Sequence, residues 1–260
     1  FMVRAIDNAG NVDGTPASYT WTVDTAPPDT TITANPTDPS GPNVSFSFTG
    51  SDSESGVASF ECQIDGGGFA PCTSPKTYMG LAQGSHTFEV RAIDNATNVD
   101  PTPATFTWNV DATPPDTTIN SSPPNPSGSA NASFTFSGMD TGGSTVASFE
   151  CQIDGGGFAA CTSPQNYTGL SDGSHTFEVR AIDAVGNVDP TPASYTWVVD
   201  TTAPDTTITA NPTNPSASNS ASFSFTGTDS GGSGVASFEC DLDGGGFAAC
   251  TSPQTYNSLA

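Results

Sequence analysis

Cysteine is the residue type whose spacing in this sequence most clearly predicts a covalent bond. Six Cys fall into three pairs, and each pair encloses an Asp-Gly-Gly-Gly segment. Asp-Gly and Gly-Gly favour tight hairpin turns because these residues tolerate positive φ. A hairpin folded about these glycines brings the two sulfur atoms of a pair together across its strands. The sequence therefore predicts three local disulfides: Cys62 with Cys72, Cys151 with Cys161, and Cys240 with Cys250.

Other cysteine chemistry fits this pattern less well. The six Cys lack the spacing of a zinc site, and no CxxC pair occurs. Thiol redox chemistry is an alternative for paired cysteines, but three equally spaced pairs favour structural cystines. Paired cysteines indicate an oxidising compartment. We therefore expect an extracellular or cell-surface protein.

The two histidines, His86 and His175, are the candidates for acid–base chemistry. Each follows Gly-Ser at the same place in a repeated segment. A catalytic site copied in every module of a repeat protein would be unusual. We interpret each ring as structural, partly buried and bonded to a nearby loop, and we expect no catalytic residue and no enzymatic activity.

Aspartates such as Asp24 lie at both ends of each Pro-containing linker, and others such as Asp52 and Asp94 lie in the loops that a following domain would present. Because Ca²⁺ takes roughly six to eight oxygen ligands, carboxylates that converge at a domain junction predict a structural calcium site. The alternative is a solvated acidic loop in which Asp and Asn bond to the backbone. No other cofactor is expected. The candidate ligands are Asp111, Asp116, Asp140, Asp200, Asp205 and Asp229.

The charge balance excludes two classes of partner. Lys and Arg total 4 against 27 Asp and Glu, a formal net charge of −23. Such a chain should repel nucleic acid and anionic membrane surfaces. No segment approaches the roughly 20 consecutive apolar residues of a membrane span. Sequons of the form Asn-x-Ser/Thr are candidate sites of glycan attachment.

Alternation of apolar and polar residues predicts strands and no helices. Val44, Phe46 and Phe48 alternate with Ser and Thr, which is the pattern of a half-buried strand. About seven such short strands, separated by turn residues, occur in each repeat of nearly 90 residues. This pattern is typical of an immunoglobulin-like sandwich. The fold class is therefore all-β: tandem Ig-like sandwiches of about seven strands, each with one intradomain disulfide.

The repeat predicts two complete domains between two partial ones. Residues 28–114 and 115–203 are complete Ig-like domains by this count. Residues 1–27 match only the C-terminal strands of a domain, and residues 204–260 match only its N-terminal strands. The two partial segments are explained either by a window of a longer array, or by strands exchanged between copies of the chain.

Three motifs occur in both complete repeats: Phe-Glu-Cys-x-Ile-Asp-Gly-Gly-Gly-Phe, Gly-Ser-His-Thr-Phe-Glu-Val-Arg, and Asn-Val-Asp-Pro-Thr-Pro-Ala. With these motifs the chain resembles the tandem bacterial Ig-like repeats of very large secreted or surface proteins. The resemblance covers essentially the whole chain, although Asp241 and Leu242 depart from it in the third repeat. It implies a stalk, an adhesin extender or a fibre module.

These features predict a structural subunit or spacer of an extracellular fibre, filament or stalk, made of rod-like repeats. Copies of the chain are the expected partners, joined head to tail by strand complementation. One alternative is an adhesin module whose loops bind carbohydrate or a host surface. Another is an accessory region of an enzyme whose catalytic domain lies elsewhere.

Cross-strand charge pairs offer a check on this topology. Glu61 and Arg91 lie on outer faces of strands that should be neighbours, and Glu150 and Arg180 repeat the arrangement. Glu239 has no matching Arg in residues 204–260, but Arg4 occupies that position in the partial repeat at residues 1–27. We therefore expect Arg4 of one copy to pair with Glu239 of another.

Overall fold

The computed structural model describes residues 1–259, and all of its regular secondary structure within that range is β-strand. The chain divides into two compact units, residues 1–112 and 113–260. In the first unit, the strands are β1 (Met2–Val3), β2 (Ala17–Ser18), β3 (Asp29–Ala34), β4 (Val44–Ser51), β5 (Val57–Ile64), β6 (Ala70–Cys72), β7 (Lys76–Tyr78), β8 (Gly84–Asp94) and β9 (Ala104–Val110).

Strands β3 to β9 form a two-sheet sandwich, as the alternating pattern predicts. One sheet has the order β3-β4-β7 and the other has the order β6-β5-β8-β9. Neighbouring strands are antiparallel throughout these two sheets. The prediction of an Ig-like, all-β fold is therefore confirmed for this unit.

Aromatic rings fill the space between the two sheets. Phe46 of β4 stacks on Phe88 of β8 with 4.2 Å between ring centroids, and the Trp108 ring lies 5.1 Å from Phe46. All three side chains are almost completely buried, together with Val90 and Val110. Burial of one such side chain contributes roughly 1.5–3 kcal/mol, so this cluster is the main source of stability.

The second unit contains one complete sandwich with the same topology. The strands of this unit are β10 (Asp116–Ser121), β11 (Ala132–Met139), β12 (Val146–Ile153), β13 (Ala159–Cys161), β14 (Gln165–Tyr167), β15 (Gly173–Asp183), β16 (Ala193–Val199), β17 (Asp205–Ala210), β18 (Ala221–Thr228), β19 (Phe238–Cys240), β20 (Ala248–Cys250) and β21 (Gln254–Tyr256). The complete sandwich has sheets of the orders β10-β11-β14 and β13-β12-β15-β16, and its core is built around Phe134, Phe177 and Trp197.

Residues 205–259 form an incomplete sandwich in the second unit, which we call the third repeat. It has the three-stranded sheet β17-β18-β21 and a two-stranded hairpin, β19-β20. Among the described residues of this repeat, no strand corresponds to β8 or β9. Strand β17 is exposed along its whole length. Among the described residues of the third repeat, Phe225 on β18 is the buried hydrophobic residue.

Each of the three hairpins carries the predicted disulfide, Cys62–Cys72, Cys151–Cys161 and Cys240–Cys250. The turn residues take the expected positive φ, with Asp65 at 52° and Gly66 at 70°. The prediction of one local cystine in each repeat is confirmed. Disulfides inside every repeat are the pattern of a protein from an oxidising, extracellular compartment.

Candidate functional site

The third repeat leaves an apolar groove open between its sheets. The groove encloses a cavity of about 350 Å³. This space is occupied by β8 and β9 in the first complete sandwich and by β15 and β16 in the second. The residues that line it include Ile208, Phe223, Phe225, Phe238, Leu242 and Tyr256.

Residues 1–24 already form the kind of strand pair that this groove lacks. Val3 pairs with Ala17 in the register that Val90 and Ala104 take between β8 and β9. The backbone amine of Phe1 also donates to the carbonyl oxygen of Tyr19, at 3.0 Å. We call residues 1–24 the terminal hairpin.

The apolar side chains of the terminal hairpin are exposed where their counterparts are buried. Trp21 is 58% exposed, whereas Trp108 is 1% exposed. Phe1 is 73% exposed, whereas Phe88 is fully buried. The apolar face of this hairpin is therefore exposed within the first unit.

A second feature repeated in the complete sandwiches is a cluster of Glu, Arg and Phe on the outer face. Arg91 Nη2 donates to Glu61 Oε2 at 2.7 Å, and the guanidinium carbon lies 4.0 Å from the centroid of the Phe69 ring. Arg180, Glu150 and Phe158 repeat this arrangement. The predicted pairing of β5 with β8 through these charges is confirmed.

In the third repeat this cluster is incomplete. Glu239 is exposed, and Phe247, which corresponds to Phe69, is 73% exposed. Arg4, the predicted partner, is exposed in the first unit. Pairing of Arg4 with Glu239 of a neighbouring copy stays a prediction. The stacking of Phe on Arg escaped the sequence analysis, although Phe recurs at that position in every repeat.

An acidic cluster in the first unit contains Asp24, Asp52 and Asp94. One carboxylate oxygen from each lies within 4.8 Å of the others. The N–H of Gly56 lowers the pKa of Asp52, and the N–H groups of Ser55 and Glu54 add to this effect. Oδ2 of Asp24 is buried without a hydrogen-bond partner. These three carboxylates could supply part of an oxygen-ligand set for Ca²⁺.

The six predicted calcium ligands differ in exposure and in hydrogen-bond partners. Asp116 and Asp205 are exposed at the starts of β10 and β17. Asp140 accepts hydrogen bonds from Gly142 N–H and Ser144 Oγ, and the Asp111 N–H donates to the Ser40 carbonyl. Asp200 and Asp229 both bond to Ser233. Calcium binding by this set stays a prediction.

Each histidine bridges two oxygen atoms, with the same geometry in both complete sandwiches. His86 Nδ1 is 2.7 Å from Asp65 Oδ2, and Nε2 is 2.9 Å from the carbonyl oxygen of Ala82. His175 makes the same two contacts, with Asp154 and Ser171. Both partners are acceptors, so both contacts are hydrogen bonds when the ring carries a proton on each nitrogen. The predicted structural role of His86 and His175 is supported.

No family model matches the chain, but one curated protein matches it in part. Exoglucanase B from Cellulomonas fimi is 31% identical over 255 residues, which is 88% of this chain and 23% of that protein. The chain therefore spans about a quarter of the length of this curated relative. The match gives no evidence about the activity of the whole relative.

Solved structures similar to this chain include tandem β-domains. Fibronectin(III)-like modules of CbhA from Clostridium thermocellum are 20% identical, with 66% of this chain and 94% of the other covered and a TM-score of 0.39. A tetra-tandem repeat from the extending region of a large adhesion protein is 17% identical, with 98% and 71% covered and a TM-score of 0.30. Similarity this low carries no argument about function. No described helix has the length and apolar character needed to cross a membrane.

Proposed function

We propose that this chain is a non-catalytic structural spacer of an extracellular fibre or stalk, and that copies join head to tail. The observation that carries the proposal is the repetition of a complete sandwich with the same topology, aromatic core and disulfide. Head-to-tail joining would place the terminal hairpin of one copy in the third repeat of another, a heterologous contact that propagates without closing on itself.

The complete sandwiches support the role of a spacer. Each has its own aromatic core and its own disulfide, so each is a separately stabilised module. The His bridges and the Glu–Arg pairs are repeated with nearly the same distances in both. Repetition of this kind suits a module whose task is to extend the chain.

Electron microscopy of the purified, oxidised chain tests this proposal. Linear assemblies of beaded domains are the expected result, and they should lengthen as the protein concentration rises. Separate single-chain particles at every concentration would contradict head-to-tail joining.

An accessory region of a larger extracellular enzyme is a second candidate. The 31% identity to part of Exoglucanase B favours it, because the matched region is only 23% of that protein. In that role the chain would still be a spacer. Head-to-tail assembly of the isolated chain would then be absent, so the same microscopy separates the two candidates.

An adhesin module is the remaining alternative, with loops that bind carbohydrate or a host surface. The loop after β8 is Asp-Asn-Ala-Thr-Asn in one complete repeat and Asp-Ala-Val-Gly-Asn in the next, which is minor variation. A spacer requires no unique loop, whereas selective recognition usually does. Specific binding of the chain on a glycan array would favour the adhesin over the spacer.

A further inference from the structure

We infer that the Asp200 carboxylate fixes the third repeat to the complete sandwich before it, by docking in the loop between β18 and β19. Residues 229–234 of this loop read Asp-Ser-Gly-Gly-Ser-Gly, and we call them the junction loop. The inference rests on the spacer role in the proposed function, and it adds how two successive repeats are held at a fixed angle. All of the contacts that form this junction lie inside the second unit.

Asp200 belongs to the complete sandwich by its backbone and to the third repeat by its side chain. It follows β16 directly and is 8% exposed. Its N–H donates to the carbonyl oxygen of Ser127 at 2.9 Å. Its Oδ2 accepts a hydrogen bond from the N–H of Ser233 in the junction loop, also at 2.9 Å. Because hydrogen bonds to ionised groups are stronger than those between neutral groups, one side chain can hold the two repeats together.

Gly231 gives the carboxylate of Asp200 the room to enter the loop. Gly231 is buried, and a Cβ atom at this position would overlap Oδ1 of Asp200. The φ of Gly231 lies outside the left-handed region, so its backbone conformation does not require glycine. The close approach of Asp200 is therefore the reason that this position needs a glycine.

The next glycine of the junction loop also lies against the complete sandwich. A Cβ atom on Gly232 would be 3.9 Å from Cγ1 of Val198, which is ordinary van der Waals contact. Val198 is on β16, two residues before Asp200. The junction loop thus meets the end of β16 at two neighbouring points, one polar and one apolar.

Asp229 holds the junction loop in the shape that receives Asp200. Its Oδ1 accepts a hydrogen bond from the N–H of Gly231 at 3.1 Å, and its Oδ2 accepts one from the N–H of Gly234 at 2.7 Å. The hydroxyl group of Ser233 also donates to Oδ2, at 3.1 Å. Ser233 therefore joins the two carboxylates, with its hydroxyl group on Asp229 and its N–H on Asp200. Backbone N–H groups around both carboxylates offset the repulsion between their charges.

The segment that connects the two repeats is held from the other side by Asp172. Its Oδ1 accepts hydrogen bonds from the N–H and Oγ1 of Thr201 at 2.8 and 2.7 Å, and its Oδ2 accepts one from Oγ1 of Thr202 at 2.6 Å. Asp200, Thr201 and Thr202 are thus fixed one after another. Pro204 follows two residues later, and its ring restricts the backbone further. Little freedom remains for the third repeat to turn on the complete sandwich.

The first unit holds its incoming segment through other groups. There Asn98 Nδ2 donates to the carbonyl oxygens of Asp24 and Ala26, at 3.2 and 3.4 Å. The loop after β4 reads Asp-Ser-Glu-Ser-Gly and lacks two adjacent glycines. The inferred contact is therefore specific to a loop whose glycines admit a carboxylate from the repeat before it.

Residual dipolar couplings of the full, oxidised chain, measured by NMR, test this junction. In the native chain, the amides of residues 116–199 and 205–256 should fit one alignment tensor, because the two repeats move as one body. Asp200→Ala removes the acceptor, and Gly231→Ala fills the space that its carboxylate occupies. In each variant the two groups of amides should require two tensors, and the Ser233 amide should exchange at least about tenfold faster.

Gly128→Ala and Asp205→Ala are the matched controls. Gly128 also has a φ outside the left-handed region, and a Cβ atom there would have no neighbour within 4 Å. Asp205→Ala removes the same charge as Asp200→Ala, from an exposed position at the start of β17. Both controls should fit one tensor and keep the native exchange rate at Ser233. Native chemical shifts for residues 116–199 will verify that the complete sandwich stays folded in every variant.

The outcomes separate this inference from the proposed function. If the native chain requires two tensors, or if either Asp200→Ala or Gly231→Ala behaves like its control, the inferred junction is wrong, and the microscopy described above still decides head-to-tail joining. If the couplings and exchange rates are as expected but microscopy shows separate single-chain particles, head-to-tail joining fails while the junction stands.

Discussion

Arg91 donates hydrogen bonds from Nε and Nη2 to a single oxygen of Glu61, at 3.0 and 2.7 Å. The two residues face each other on neighbouring strands, so the pair fixes the register of β5 against β8. The ring of Phe69 covers the other side of the guanidinium group. One cation thus links two strands and the disulfide hairpin on the outer face of the sandwich.

Replacing this cation should destabilise a complete sandwich modestly. Arg91→Ala is expected to lower the free energy of unfolding by about 1 kcal/mol, because a partly buried ion pair and a cation–π contact are lost. Arg180→Ala should give a similar change in the second complete sandwich. Hydrogen exchange in urea, followed separately for peptides of each repeat, measures both. Unequal losses would show that the two clusters are not energetically equivalent.

Trp21 and Trp108 provide a matched pair of substitutions. Trp108→Ala removes a buried core ring and should cost about 3–5 kcal/mol of stability. Trp21→Ala should leave the stability of the complete sandwiches unchanged, because Trp21 is exposed. It should instead weaken head-to-tail association about thirtyfold or more, as expected for a buried aromatic anchor. Association that is unaffected by Trp21→Ala would remove the role assigned to this ring.

The disulfide of each hairpin should contribute to the stability of its own repeat. Replacing Cys62 and Cys72 together by Ser is expected to lower the free energy of unfolding by about 2–3 kcal/mol, because a short closed loop is released in the unfolded chain. The loss should be confined to the sandwich of β3 to β9. Proteolysis under mild denaturation, with fragments assigned by mass spectrometry, will report which repeat opens first. If the sandwich at residues 116–199 opened first instead, the Cys62–Cys72 disulfide would not act locally on the sandwich that contains it.

The histidine bridges predict a pH dependence with a defined sign. Burial opposes protonation of His86, but the hydrogen bonds to the Ala82 carbonyl and to Asp65 outweigh it, so the pKa of His86 is raised. Its contribution to stability is complete below the ordinary pKa of about 6.5 and is lost as the pH rises through the higher folded value.

Asp65 sets the other limit of this window. Burial acts to raise the pKa of Asp65, but hydrogen bonds from Thr87 and His86 lower it overall. Its contribution is complete above about pH 4 and is lost as the pH falls through the lower folded value. Stability from the bridge should therefore be greatest between about pH 4 and 6.5. His86→Gln should flatten the loss above that range, and an unchanged pH profile would show that the bridge does not titrate.

Calcium at the acidic cluster is a further prediction. Millimolar Ca²⁺ should raise the unfolding temperature of the first unit, and a chelator should reverse the rise, because bound cation stabilises the folded state. Asp24→Asn should reduce this effect, since Asp24 brings a buried, unpartnered oxygen to the cluster. Asp29→Asn, at an exposed position on β3, is the control. An unfolding temperature that is independent of Ca²⁺ and chelator would exclude the site.

Local features of the fold were predictable from the sequence. The disulfides were predictable because each pair closes a hairpin whose turn residues are recognisable. The pairing of Glu61 with Arg91 followed from alternation along two strands. The bridge from His86 to Asp65 spans 21 residues, so its partner depends on how the hairpin packs against β8. Contacts of that kind depend on tertiary packing, which the period-2 pattern does not specify.

The candidate site was only partly predictable for a similar reason. Linker aspartates were easy to identify, yet Asp116 and Asp205 are exposed, while Asp94 at the end of β8 joins the acidic cluster. Asp94 was predicted from the sequence as a loop carboxylate near a domain junction, and the N–H and side chain of Asn98 both bond to it. Which loops meet depends on the packing of the sheets.

Amide hydrogen exchange on β19 and on the terminal hairpin, measured at low and high protein concentration, tests head-to-tail joining most directly. Strand addition would protect the amides of residues 238–242 and of residues 3–5 together, and only at high concentration. Exchange in both segments that stays fast and identical at every concentration would contradict the joining of copies through these strands.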